Sequence, residues 1–381
     1  MDSQGHEYDD WSWEEINKAY FDDPVLTDLE EDEPSGQAPR ISSPPMELKS
    51  NKEGNASTSK KKSRASTKTS NAERLRGLLR HDVGSFLKAR EAPVVFDGFD
   101  LRQTVEAAGG KGPPPCNLVP ELETAWLDDQ PRLAVDKNGI PIVLHIPCWQ
   151  RTKSLDKFND DCAKLCETTK PTVGEDADGK WRNSKATYRQ VEGELCGRIK
   201  LVTCWHAIGH SKEPPVPSST ILGSGQKFSA TTEALSEFQF VAKRLNNVLE
   251  HLDPGAASQY SKLRETSMDK LPYLRAFNAV DPSYWQGRAL LFNSQTPRHR
   301  DKRSPPLEWT PLHAAGTFTQ GGDFRIDELN LRLRYLPGDL IFFRGWAFSH
   351  SVEGWEGGQR ISAAYFTHQT VWDSFDCCLH L

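Results

Sequence analysis

The chain has 381 residues, 36% of them hydrophobic, and a formal net charge of −6. That length admits one large domain or two ordinary ones, and the low apolar share implies a segment that does not pack into a core. No stretch approaches the ~18 apolar residues of a membrane span, and the acidic start MDSQGHEYDD lacks a signal-peptide layout, so a soluble intracellular protein with no membrane partner is expected.

Charge divides the chain. Residues 1–70 hold 9 Lys+Arg and 15 Asp+Glu, a net of −6, which leaves 38 of each sign for residues 71–381. Residues 1–34 are acidic, 35–58 are rich in Pro, Ser, Gly and Asn, and Lys60-Lys61-Lys62-Ser63-Arg64 follows. A disordered tail, acidic then basic, is therefore expected over 1–70, with one domain over 71–381. The basic run suits a nuclear import signal or a phosphate-binding arm, against the plainer reading of a solvated charge cluster; nuclear localisation is the expectation. The neutral body does not advertise nucleic-acid binding by bulk charge, so such binding needs a local basic patch.

In chain order, AERLRGLLRHDVGSFLKAR from residue 71 reads as a helix, VVFDGFDL (94–101) as a strand and turn, and IPIVLHI within 132–146 as a strand. Residues 150–190 read as a helix followed by a mobile loop. Between Thr231 and Leu252, apolar residues recur at three- and four-residue steps, which predicts a helix capped by Thr231 or Thr232 and ended by Asp253-Pro254-Gly255. A second helix is expected over 255–266. From Ala289 the pattern turns to short strands: ALLFNS, LHAAGTF, NLRLRYL, DLIFFRG and RISAAYFTH. The eight cysteines include no CxxC pair, and the spacing of Cys196, Cys204, His206 and His210 fits no common zinc pattern; free thiols are expected.

The strand-rich part carries a constellation. His299-Arg300-Asp301 is an H-x-D, whose two side chains share one side of an extended chain. His350 follows just beyond DLIFFRG. Two imidazoles and a carboxylate on one face of an ion leave three positions open, the arrangement of non-haem Fe(II) oxygenases. Arg360 and Ser362, two apart on one strand face, would hold the far carboxylate of 2-oxoglutarate through a planar fork and a hydroxyl. The second H-x-D, His251-Leu252-Asp253, has no downstream partners and reads as a helix terminus.

From about Asn293 to Thr370 the chain resembles the catalytic core of 2-oxoglutarate/Fe(II) dioxygenases. NSQTPRHRD, LHAAGTFTQGGDFRI, LRLRYLPGDLIFFRG and QRISAAYFTH are similar to fungal members of the TET/JBP family, which oxidise modified bases in DNA. The resemblance implies an α+β fold with a double-stranded β-helix (jelly-roll, cupin-like) core at about 285–372 flanked by helices. It implies Fe(II), 2-oxoglutarate and O2, with metal ligands at His299, Asp301 and His350 and the 2-oxoglutarate arginine at Arg360. It also implies a base contact at His368; read from the residues alone, Arg360, Ser362, Ala364, Phe366 and His368 share one inward face, and a His bonded to a backbone carbonyl is the plainer alternative. Asn293 and Asp339 are further substrate-binding candidates, although for Asp339 the reading as a turn residue is favoured. An acidic base contact of some relatives is replaced here by Ser304. AlkB-type enzymes show a second arginine where this chain has Phe366.

The activity expected is oxidation of 5-methylcytosine in double-stranded DNA to hydroxymethylcytosine, with formyl and carboxyl forms and N6-methyladenine left open. A base in duplex must be swung out of the stack to be reached. Candidate backbone contacts are Lys180, Arg182 and Lys185 in the loop and Arg298, Arg300, Lys302 and Arg303 beside the triad, with ordinary surface charge as the alternative. A monomer is expected. The competing readings are a protein or small-molecule hydroxylase on the same fold and a catalytically silent binding module, the latter disfavoured by the complete ligand set.

Overall fold

A computed structural model describes residues 57–109, 120–174, 185–206, 210 and 212–381, with side chains from residue 73 onward. The chain divides into two units, 1–61 and 62–381, and only residues 57–61 of the first are described. The acidic segment 1–34 and the segment 35–56 lie outside the described residues.

In chain order the elements are α1 (Ser57–Glu91), β1 (Val94–Phe96), α2 (Leu101–Ala108), β2 (Thr124–Trp126), β3 (Arg132–Asp136), β4 (Pro141–Ile146) and α3 (Thr152–Thr168). After a 3-10 turn at Lys185–Thr187 come β5 (Gly197–Val202), α4 (Gly225–Leu252), α5 (Pro254–Lys270) and α6 (Tyr273–Val280). The remainder is β6 (Gly287–Phe292), β7 (Thr310–Gly316), β8 (Gln320–Gly321), β9 (Phe324–Ile326), β10 (Leu331–Leu333), β11 (Leu340–Phe343), β12 (His350–Val352), β13 (Trp355–Glu356), β14 (Arg360–Phe366) and α7 (Gln369–Ser374). Among the described residues no helix is long and apolar enough to cross a membrane.

The strands form an eight-stranded sheet in the order β1-β3-β4-β11-β7-β14-β6-β5 and a four-stranded sheet in the order β12-β9-β10-β2. Alternation along the strands sorts side chains between two cores. Ile361, Ala363 and Tyr365 of β14, with Leu340 and Phe342 of β11, pack against α3, α4, α5 and α6. Leu312 and Ala314 of β7 and Ile341 and Phe343 of β11 instead meet Phe324, Ile326, Leu331 and Leu333 of the smaller sheet. The result is an α+β sandwich: a helix layer, a large sheet and a small sheet, with the inner face of the large sheet turned toward the small one. Each fully buried Leu, Ile or Phe in these cores stabilises the fold by roughly 1.5–3 kcal/mol.

Several expectations shift. The sheet is not confined to 285–372. β4 pairs with β11 and β5 with β6, so strands from residues 94–146 and 197–202 cover what would otherwise be open edges. α1 begins at Ser57, ahead of residue 71, so Lys60 to Arg64 fall on helical backbone. α4 begins at Gly225 rather than Thr231. The Thr231 hydroxyl donates back to Lys227 O at 2.8 Å, as Ser and Thr do inside helices, and caps nothing. Asp253 is the terminus that the chain reading assigned: it ends α4 and caps α5 by accepting the Ala256 N–H at 2.9 Å.

Candidate active site

His299 and His350 face each other across one antiparallel bridge, with N–H to O distances of 2.9 and 2.8 Å in the two directions. Their rings lie 4.0 Å apart. Asp301 is tied by its own N–H to Gly345 O at 2.9 Å, which brings Oδ1 within 3.5 Å of His299 Nε2 and Oδ2 within 4.0 Å of His350 Nε2. Each imidazole Nδ1 rests against a backbone carbonyl, Pro297 O at 2.8 Å and Phe348 O at 3.1 Å. A ring nitrogen in that position carries the proton and donates it, which leaves both Nε2 lone pairs for a cation. Phe324 and Phe343 hold the His350 ring at 5.5 and 4.6 Å. Among the described residues these three are the one cluster arranged to grip a metal. His206, in the segment considered for zinc, has its ring nitrogens engaged at 3.2 Å by the hydroxyls of Thr370 and Ser374.

Arg360 opens β14 and is fully buried. Its Nη1 donates to Ser294 O at 3.3 Å, while Nε and Nη2 have no partner in the described chain. Aromatic rings surround it: Tyr335 at 5.1 Å, Trp355 at 5.6 Å and Phe318 at 5.8 Å. Burial pushes the guanidinium's pKa down from its ordinary value, with Tyr335 a smaller opposing influence. A desolvated cation with idle donors is the complement of an incoming carboxylate. Phe324, beside His350, is also 6.1 Å from Tyr335, so one ring separates the cation's cage from the triad. Fe(II), 2-oxoglutarate and O2 fit this donor set: three ligands with open positions, and a carboxylate socket next door.

Ser362 lies on the inner face beside Arg360, its Oγ 3.0 Å from the buried Tyr335 Oη. Asn293 is buried in a left-handed conformation at φ 52°. Its side chain accepts the Arg360 N–H at 2.8 Å and donates to Glu194 at 2.6 Å, so it fixes the start of β14 and has little left for a substrate. Asp339 is likewise committed to its own chain. Its two oxygens accept from Cys148 N, Leu336 N and the Arg334 fork at 2.8–3.0 Å, the bonding of a turn-closing residue.

His368 does not continue the strand. Thr367 N–H is taken by Glu308 Oε1 at 2.6 Å and Thr367 Oγ1 by Gln286 N–H at 3.1 Å, which ends the ladder at Phe366 and leaves His368 at the start of α7. It nonetheless stands with aromatic company: stacked on Phe366 at 5.0 Å and 22°, and 6.2 Å from Trp205, over which Lys200 Nζ sits at 5.7 Å. Neither Trp205 nor Lys200 is visible as a site residue in the chain's local patterns. Burial first, then Arg303 and Lys200, lowers the His368 pKa to about 4. The sign follows: the neutral ring is favoured in the fold, so its contribution is complete above an ordinary histidine pKa of about 6.5 and is lost as pH falls toward about 4. In urea melts across pH 4–8, the stability difference between wild type and His368→Asn should be flat above about pH 6.5 and change only below it. A difference that changes between pH 7 and 8 would contradict the neutral assignment.

The cations near the triad divide. Arg298 pairs with Asp327, and Arg300 reaches Glu328 at 2.5 Å. The other Glu328 oxygen accepts Ser349 N–H at 2.7 Å, so this pair braces the residue before His350. Lys302 and Arg303 are exposed beside Asp301, and Lys185 is exposed at the 3-10 turn. Lys180 and Arg182 lie outside the described residues.

No known family description and no curated protein matches the sequence. Solved structures resemble the fold. NgTET1 in complex with 5mC DNA is 13% identical over 72% of this chain and 92% of that one, at a TM-score of 0.47. A 2OG-Fe(II) oxygenase family oxidoreductase from Burkholderia pseudomallei is 10% identical over 72% and 94%, at 0.32. A Pseudomonas putida prolyl-4-hydroxylase is 12% identical over 60% and 92%, at 0.27. At such values the chemistry rests on the residues of the site itself.

Proposed function

We propose that the chain is an Fe(II)- and 2-oxoglutarate-dependent dioxygenase that hydroxylates the methyl group of 5-methylcytosine in DNA. The observation that carries the reaction class is the buried Arg360, with two idle nitrogens inside an aromatic cage that one ring, Phe324, separates from the His-Asp-His triad. When bound, Fe(II) and 2-oxoglutarate couple O2 to the change of a methyl into a hydroxymethyl group, with succinate and CO2 as the other products. The chain's own work is to present Nε2 of His299 and His350 and the Asp301 carboxylate, to orient the co-substrate with Arg360 and the Ser362–Tyr335 hydroxyl pair, and to keep water out with Phe324, Phe343 and Trp355.

The base assignment is supported by the sequence resemblance and by the group formed by His368, Phe366 and Trp205, flat surfaces and a ring nitrogen suited to an extruded base. Exposed Lys302 and Arg303 offer phosphate contacts beside it. Further oxidation to formyl and carboxyl forms, action on N6-methyladenine and a nuclear location belong to the same proposal. One observation favours a protein or small-molecule substrate instead: Arg298 and Arg300, the cations flanking His299, are engaged by Asp327 and Glu328.

Mass spectrometry of nucleosides from 5-methylcytosine duplex, with Fe(II), 2-oxoglutarate and ascorbate, tests both levels. Hydroxymethylcytosine should form with wild type and be absent with a His299→Ala/Asp301→Ala double variant. Succinate without any altered base would keep the reaction class and remove the DNA substrate.

A further inference from the structure

The inner end of β7 carries a polar atom that the described chain leaves idle. Thr310 is 3% exposed, and its Oγ1 has no hydrogen-bond partner among the described residues. By strand alternation it shares the inner face with Leu312 and Ala314. Gly345 lies against it, and a Cβ added there would stand 2.7 Å from Thr310 Oγ1 and 2.4 Å from Asp301 Oδ2. The bare Cα of Gly345 therefore faces a hydroxyl and a carboxylate oxygen at once, and its carbonyl holds the Asp301 N–H from the other side. Buried hydroxyls are almost always paired, with protein or with an ordered water, and a carboxylate that grips a metal is normally held in turn by an outer donor.

We propose that Thr310 is a positioning residue for Asp301: its hydroxyl donates, through one water held over Gly345, to the Asp301 carboxylate and sets the rotation at which that carboxylate meets the cation. The ligand of this small site is water, which can accept from Thr310 and donate to Asp301 together. Each added donor narrows the rotation of a carboxylate about its last bond, and every misaligned orientation subtracts from metal affinity. Thr310 touches neither co-substrate nor substrate in this role. The inference rests on the triad being a metal site and is independent of the DNA reading.

Calorimetric titration of Mn(II) alone into metal-free protein, without co-substrate, reads the effect directly. Thr310→Val keeps the shape and loses the hydroxyl, and should weaken Mn(II) binding roughly 10–100-fold, the range for loss of an outer partner. Thr310→Ser should restore affinity to within about threefold of wild type, because the hydroxyl returns. The melting temperature of the metal-free Val variant should stay close to that of wild type, since valine keeps the shape and only a water-mediated contact is lost. Unchanged Mn(II) affinity in Thr310→Val overturns the proposal, as does a parallel fall of affinity and melting temperature in both variants. A wild-type protein that binds no Mn(II) would instead remove the metal reading beneath it.

Discussion

Replacing Arg360 with methionine should abolish saturable 2-oxoglutarate binding and, at the same time, raise the melting temperature of the metal-free protein. The two effects have one cause. The guanidinium is enclosed by Tyr335, Trp355 and Phe318, and among the described residues no acid pairs with it. A co-substrate carboxylate would take up Nε and Nη2, and each charge-assisted hydrogen bond is worth about 1.5–3 kcal/mol, so affinity should fall roughly 10²–10⁴-fold. Without that ligand the same cation is a desolvated charge, and an apolar residue of similar length relieves the strain. Arg244 makes the contrast. It is as deeply buried, but Asp82 accepts from Nε and Nη2 at 2.8 and 2.6 Å, and Arg244→Met would strand that acid. Titration of 2-oxoglutarate with Mn(II) present, together with calorimetric melting, checks both halves. Binding within about threefold of wild type would place the co-substrate elsewhere.

Gly345→Ala should strip the protein of its metal while leaving the fold in place. Gly345 lies outside the left-handed region, so alanine meets no backbone obstacle there. The added methyl would instead occupy the position 2.4 Å from Asp301 Oδ2, where two atoms cannot coexist. The carboxylate has to swing away, and one of three ligands is lost. The expected fall in Mn(II) affinity is therefore at least the roughly 10–100-fold that follows loss of a mere outer partner. Far-ultraviolet circular dichroism should remain that of wild type. An alanine variant with normal metal affinity would mean that Asp301 is not a ligand.

The candidate site residues are legible in the chain where the pattern is local: an H-x-D places two donors on one side of an extended segment, and Arg360 to Ser362 repeats the step of two. What stayed hidden depends on partners far away in sequence. Thr310 and Gly345 acquire meaning only where β7 passes Asp301, and Trp205 only where the chain after β5 returns to His368. Asn293 could be seen as a polar residue near the site, but its partner is the Arg360 backbone, 67 residues on. The strand carrying Arg360 stops at Phe366 because of a carboxylate 59 residues earlier, which no periodicity announces. The large sheet likewise draws β1, β3 and β4 from a region where the apolar run IPIVLHI suggested a strand without naming its neighbour.

Asp253 stands at the corner where α4 gives way to α5, and its reach extends past that corner. Its Oδ2 accepts from Trp309 Nε1 and Arg344 Nη2, each at 2.9 Å, while the Arg344 guanidinium lies 3.7 Å over the Trp309 ring. Arg344 immediately precedes Gly345, whose carbonyl anchors Asp301. One carboxylate thus serves as the keystone between a helical joint and the shelf on which the cation would rest. The spacing of the triad is a property of the tertiary scaffold, and whatever loosens that joint would also shift Asp301 against the two histidines.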